Sequence, residues 1–195
     1  MKRVAVVVVG LMLASAAVGA NWSSDTKSVL GDTFSIDLDS IKNSSYQMNP
    51  IVGYWVKAKY PKNDKDLMVN GRYYRSGKFF KWVDCKNKTE SNATQSIYYD
   101  INGKIIKSQS DTIQRFEEIV PESIAESHFN LVCSLSMWNE YFKIPYDSNG
   151  NKNEYQIKSL VEQYPYQAHL LKGKENGLQP LSDEEIKRIS SDLNN

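Results

Sequence analysis

The chain has 195 residues, 41% of them hydrophobic, which is enough for one domain with a real core and an appendage. Twenty-four Lys and Arg stand against 23 Asp and Glu, a formal net charge of +1. That balance argues against a nucleic-acid binder or a membrane-surface polycation, so an electrostatic partner has to be met by a local patch.

The chain opens with Lys2 and Arg3, then an apolar run from Val4 to Val18, then the small residues Val18-Gly19-Ala20. The run is short of the ~20 residues that span a bilayer, and a cleavage-like site follows it directly. Residues 1–20 are therefore expected to be an export signal, with the mature chain starting at Asn21. Loss of Lys2 and Arg3 takes the net charge to about −1. The predicted cleavage point has no nearby cysteine for a bacterial-type lipid anchor, and no later segment is apolar enough for a membrane span. The expected location is the periplasm, the cell surface or the medium.

From Asn21 to Ser110 the chain reads as short strands separated by turns. Phe34, Ile36 and Leu38 alternate with Ser35, Asp37 and Asp39, and Val52, Tyr54, Val56 and Ala58 alternate with Trp55, Lys57 and Lys59. Leu67 to Arg75, Phe79 to Cys85 and Gln95 to Tyr99 continue the series. Asn102-Gly103 before Ile105-Ile106 is a two-residue hairpin signal, because both turn positions need positive φ. About six strands in sequential hairpins are expected.

The period then changes. Pro121 suits a first helical turn, Ser123 and Glu126 have capping-box spacing, and Ile124, His128, Leu131 and Leu135 recur at helical spacing. Residues 136–195 are more polar, with a loop at Asp147 to Asn151, a helix predicted over Glu154 to Gln163, a break at Pro165 and a second capping box opening Asp183 to Leu193. The two cysteines, Cys85 and Cys133, are spaced unlike a CxxC motif, and an exported chain with one such pair is expected to bridge it. The bridge would staple the helix to the sheet.

Catalytic and metal signals are sparse. His128 and His169 are far apart with no compact ligand cluster around either, and His128 reads as a packed helix residue. Asp147-Ser148-Asn149-Gly150 lacks the Gly at position 6 and the Glu at position 12 of a calcium loop, so it reads as a plain turn. There is no GxSxG elbow or Gly-rich phosphate loop. A hydrolase with paired carboxylates needs a concave pocket and raised carboxyl pKa values. No cofactor and no metal are expected.

A binding surface is better supported. Alternation places Trp55, Lys57 and Lys59 beside Phe80 and Trp82, with Lys78 and Tyr98 on the same side, opposite the helix. Arg72, Arg75, Lys78, Lys81, Lys86 and Lys88 cluster in sequence around the neighbouring hairpin. Aromatics mixed with cations have the composition of a protein interface. Two plainer readings stand beside this one: residues 136–195 cover the face or it is a homodimer contact, and the lysines belong to a solvated hairpin whose edge charges block aggregation.

Trp22, Phe34-Ser35-Ile36-Asp37-Leu38-Asp39-Ser40-Ile41, Tyr54-Trp55-Val56-Lys57, Asp84-Cys85, Tyr98-Tyr99-Asp100-Ile101-Asn102-Gly103 and Pro121-Glu122-Ser123 leading to Val132-Cys133 occur in an order that resembles the surface-adhesin protein E family of bacterial exported proteins. The resemblance spans about residues 22–135. It implies a small antiparallel sheet on one helix with the cysteines bridged, a cell-envelope location, and adhesion to host extracellular-matrix and serum proteins. The expectation is thus an α+β domain over 21–135, about six antiparallel strands on one disulfide-stapled helix, with a helical extension over 136–195. Its function is read as non-enzymatic protein binding, the alternative being a periplasmic structural or assembly protein that binds a bacterial partner.

Overall fold

The computed structural model describes residues 20–61, 67–113 and 115–171. Ten strands come first: β1 (Thr26–Lys27), β2 (Thr33–Tyr46), β3 (Asn49–Lys59), β4 (Met68–Val69), β5 (Arg72–Tyr73), β6 (Ser76–Asp84), β7 (Thr89–Ser91), β8 (Gln95–Tyr99), β9 (Ile105–Ser110) and β10 (Phe116–Glu118). Helices α1 (Ile124–Lys143) and α2 (Glu154–Gln163) and a 3-10 turn at Ala168–Leu171 follow. The export signal and the helix read over Asp183 to Leu193 lie outside the described residues, apart from Ala20.

The main sheet is antiparallel and six strands wide, in the order β1-β2-β3-β6 and then two short pairs. The outer edge of β6 is shared: Ser76 to Phe80 pair with β8, which pairs with β9, while Val83 and Asp84 pair with β7, which pairs with β10. Curling comes from β2. Asp37 lies opposite Trp55 and Lys42 opposite Gly53, so four residues of β2, Leu38 to Ile41, face Tyr54 alone. Ser40 closes this bulge, its Oγ donating to Asp37 O at 2.6 Å and accepting from Trp55 N at 2.8 Å.

Two local expectations fail for identifiable reasons. Leu67 to Arg75 is not one strand; the chain turns at Asn70 (φ 50°) and Gly71 (φ 70°), and β4 pairs with β5 in a ribbon apart from the sheet. At Asn102-Gly103, where the two-residue turn is expected, Tyr99 pairs with Ile105 across a longer loop in which only Gly103 has positive φ. Asp100 explains the difference, since its Oδ1 accepts from Asn102 N and Lys104 N, both at 2.9 Å, and caps the wider loop.

Ser123 caps α1, its Oγ accepting from Glu126 N at 3.2 Å. The carboxylate of Glu126 turns back one residue further than a capping box requires, to Glu122 N at 2.6 Å, and Pro121 lies before the cap instead of in the first turn. The buried surface of α1 is wider than one stripe, comprising His128, Phe129, Leu131, Val132, Cys133, Met137 and Trp138. The width follows from two neighbours: Ile36, Val52, Tyr54, Val56 and Val83 of the sheet, and Leu160 and Tyr164 from α2 and its end, all join one core. Tyr164 Oη lies 2.8 Å from Ser136 Oγ, which itself donates to Asn43 Oδ1 at 2.5 Å. Helix α1 runs unbroken through residue 135. Cys85, just after β6, and Cys133 on α1 form the disulfide, with Cα atoms 5.7 Å apart and both residues buried.

Candidate functional site

Strand alternation gives the sheet two unlike faces. Val52, Tyr54, Val56 and Ala58 turn toward α1, so Gly53, Trp55, Lys57 and Lys59 turn away. The pairing with β6 sets Gly53 opposite Trp82, Trp55 opposite Phe80, Lys57 opposite Lys78 and Lys59 opposite Ser76. The face away from the helix therefore carries the Trp55, Lys57, Lys59, Lys78, Phe80 and Trp82 set expected from the sequence. Their rings form an edge-to-face chain, Trp55 to Phe80 at 5.3 Å and Phe80 to Trp82 at 5.1 Å. Phe80 is buried beneath its neighbours, whereas Trp55 and Trp82 are half-exposed. Gly53 makes room for the chain: a Cβ there would lie 2.7 Å from both the Phe80 and the Trp82 ring.

Two more residues join this face that alternation alone does not reveal. Trp22 pairs with Asp37 in an isolated bridge beyond β1, and its ring lies 4.3 Å from Lys57 Nζ and 5.5 Å from Lys78 Nζ. Lys42, brought opposite Gly53 by the β2 bulge, places Nζ 4.8 Å from the Phe80 ring and 5.7 Å from that of Trp82. The result is a surface of lysines laid on aromatic rings, an arrangement in which cation and quadrupole attract. Burial lowers the pKa of Lys57, helped by the like charges of Lys59 and Lys78 and opposed by Asp25 and Asp37.

Tyr98 does not belong to this face. It lies opposite Gly77 in the β6–β8 pairing, one residue out of phase with Lys78, and its ring packs on Phe79 at 5.7 Å and Tyr74 at 5.0 Å. The phase error arises because register between strands is set by the turns, and the β6–β8 connection is too long for the sequence to show it. The basic residues of residues 72–88 likewise do not form one patch. Arg72 pairs with Asp100 at 2.8 Å, and Arg75 donates to Pro61 O at 2.7 Å. Lys81 faces α1, where it pairs with Glu90, and Lys88 reaches Glu126 at 2.5 Å; Lys86 is exposed in the turn after β6. Only Lys78 lies among the rings.

The helix-facing side holds a buried polar group. Tyr54 Oη donates to Glu90 Oε1 at 2.5 Å, and Lys81 pairs with the other oxygen. Burial, then the Glu90 charge, raises the Tyr54 pKa well above its usual value. His128 lies against the Tyr54 and Phe34 rings, and burial lowers its pKa to about 3, so it is neutral at physiological pH. Lys81 and Glu90 also line a cleft of about 510 Å³ with Ser91, Arg115 and Glu117. The carboxyls of Asp100 and Glu126 are lowered, the first mainly by the Lys104 backbone N–H and the second mainly by Lys88, the reverse of what a general acid needs. Among the described residues no group of three or more His, Cys, Asp or Glu side chains could hold a metal ion. No helix among them is long and apolar enough to cross a membrane.

The family model for surface-adhesin protein E matches residues 22–134. Among solved structures, the chain is similar to Haemophilus influenzae protein E in its crystal form II, with 17% identity and a TM-score of 0.40 over 58% of this chain and 87% of that one. It is also similar to protein E from non-typeable Haemophilus influenzae, with 17% identity and a TM-score of 0.41 over 80% of this chain and 92% of that one. No curated protein sequence matches it.

Proposed function

The chain belongs to the surface-adhesin protein E family, and on that premise we propose that it is an exported, non-enzymatic binding protein that holds a host matrix or serum protein against the face of the sheet remote from α1. Family membership supports an adhesin-like protein that is exported or displayed at the cell surface. The observation that carries the choice of face is the stacking of Lys57 and Lys78 on Trp22 and of Lys42 on Phe80 and Trp82. Aromatic rings supply rigid contact area at low entropic cost, while the lysines select and steer an acidic partner. The described part of residues 136–195 packs through Leu160 and Tyr164 into the core with α1, on the other side of the sheet.

The test is binding of the processed chain to immobilised vitronectin, laminin and plasminogen over a salt series, beside a Lys57→Glu/Lys78→Glu variant. Saturable binding that weakens with salt and falls at least tenfold in the variant supports the proposal. Absent binding, or binding indifferent to the variant, refutes it and favours an envelope partner instead.

A further inference from the structure

The end of the sheet formed by the β1–β2 and β8–β9 turns differs from the rest of the surface. Both turns are held by their own hydrogen bonds: Ser28 Oγ accepts from Leu30 N and Asp32 N, and Asp100 Oδ1 accepts from Asn102 N and Lys104 N. Their apices are nevertheless aliphatic. Val29 is fully exposed, Leu30 is 69% exposed and Ile101 is 73% exposed. Apolar side chains scattered singly need no account, but three on the tips of two neighbouring turns do.

Gly31 and Ile101 border the same cleft, of about 600 Å³, whose walls also carry Lys57, Lys59 and Arg75. Of the two acids there, Asp100 is answered by Arg72 and Asp25 approaches Lys59 only to 4.0 Å. Lys27 and Lys104, both exposed, flank the turns. Asp32 also lies in the β1–β2 turn. This end thus sets Lys27, Lys57, Lys59, Arg72, Arg75 and Lys104 against Asp25, Asp32 and Asp100, an excess of cations around the protruding aliphatic groups in a chain with almost no net charge.

We propose that this end docks on the surface of an anionic lipid bilayer, with Val29, Leu30 and Ile101 entering the headgroup boundary and the surrounding cations meeting lipid phosphates. Convex aliphatic tips suit a soft surface that closes around them. A folded protein would need two separate pockets at the spacing of these turns. Shallow apolar insertion combined with attraction to anionic lipid is the physical basis of interfacial binding. The inserting turns lie at the end of the sheet and not on its aromatic face, with which the cleft shares only Lys57 and Lys59; the test therefore substitutes Lys27 and Lys104, and its outcome is independent of protein adhesion.

The test is co-sedimentation of the processed chain with vesicles containing phosphatidylglycerol and with vesicles of phosphatidylcholine alone, at low and physiological salt. Binding is expected on the anionic vesicles only and weakens with salt. Val29→Ser/Leu30→Ser/Ile101→Ser and, separately, Lys27→Glu/Lys104→Glu should each lower partitioning about tenfold or more without changing the melting temperature. Met48→Ser serves as control, since Met48 is 97% exposed on the β2–β3 turn at the other end of the sheet, and it should bind as wild type. Equal binding to both lipids, no binding, or equal binding by wild type and the turn variants overturns the proposal. So does loss of binding in Met48→Ser, or a cleft that takes inorganic phosphate while the chain ignores vesicles.

Discussion

Replacing both Cys85 and Cys133 by alanine removes the one covalent tie between sheet and helix while leaving no buried polar group behind. The bridge joins residues 48 positions apart, and closing a loop of that length in the unfolded chain corresponds to about 4 kcal/mol in the chain-entropy model. For a domain of this size, each kcal/mol moves the melting temperature by roughly 2–4 °C, so a fall of about 8–16 °C is expected. Thermal and urea melts followed by circular dichroism, on the oxidised chain, the reduced chain and the double variant, measure it. The urea slope should rise as well, because an unfolded chain without the cross-link exposes more surface. A melting temperature within about 3 °C of the oxidised wild type would refute the reasoning. A large fall with an unchanged slope would place the effect in native packing instead of the unfolded chain.

His128 gives a pH prediction. Its folded pKa is lowered from 6.5 to about 3, so above pH 6.5 it is neutral folded or unfolded and the stability is intact. Below that, protons bind the unfolded chain first, and stability falls by about 1.4 kcal/mol per pH unit until about pH 3. His128→Leu should flatten this part of the urea-midpoint profile, and an unchanged slope in that variant would count against it. Tyr54→Phe removes the buried donor to Glu90 and should cost about 1–3 kcal/mol in urea melts; no measurable loss would mean that Lys81 alone satisfies the carboxylate. Gly53→Val puts a side chain where the Phe80 and Trp82 rings lie, at a cost of about 1–3 kcal/mol with a red-shifted tryptophan emission. An unshifted spectrum with wild-type stability would contradict the ring placement.

Much of the sheet was legible because a strand half buried on one face writes its alternation into consecutive residues. Val52 to Ala58 obeys that rule, and Trp55, Lys57, Lys78, Phe80 and Trp82 fall on the remote face as alternation requires. Ser123 similarly announces α1, since a capping side chain acts within three residues of itself. The two misread turns are equally local, but each is set by a residue outside the pattern that the alternation follows. Asn70-Gly71 was hidden inside an apparent strand, and the Asp100 carboxylate widened a turn that Asn102-Gly103 alone would make tight.

By itself the sequence determined the periods, the cap of α1 and the side chains that alternate out of each strand, which follow from local backbone geometry, and it supplied a single cysteine pair to be bridged. Tertiary structure alone decided which strands became neighbours and in what phase. The β2 bulge delivers Lys42 to the Phe80 and Trp82 rings, the bridge to Asp37 delivers Trp22 to Lys57 and Lys78, and the β6–β8 register turns Tyr98 to the opposite face. Register is a relation between segments distant in the chain, and a shift of a single residue exchanges one face of a strand for the other.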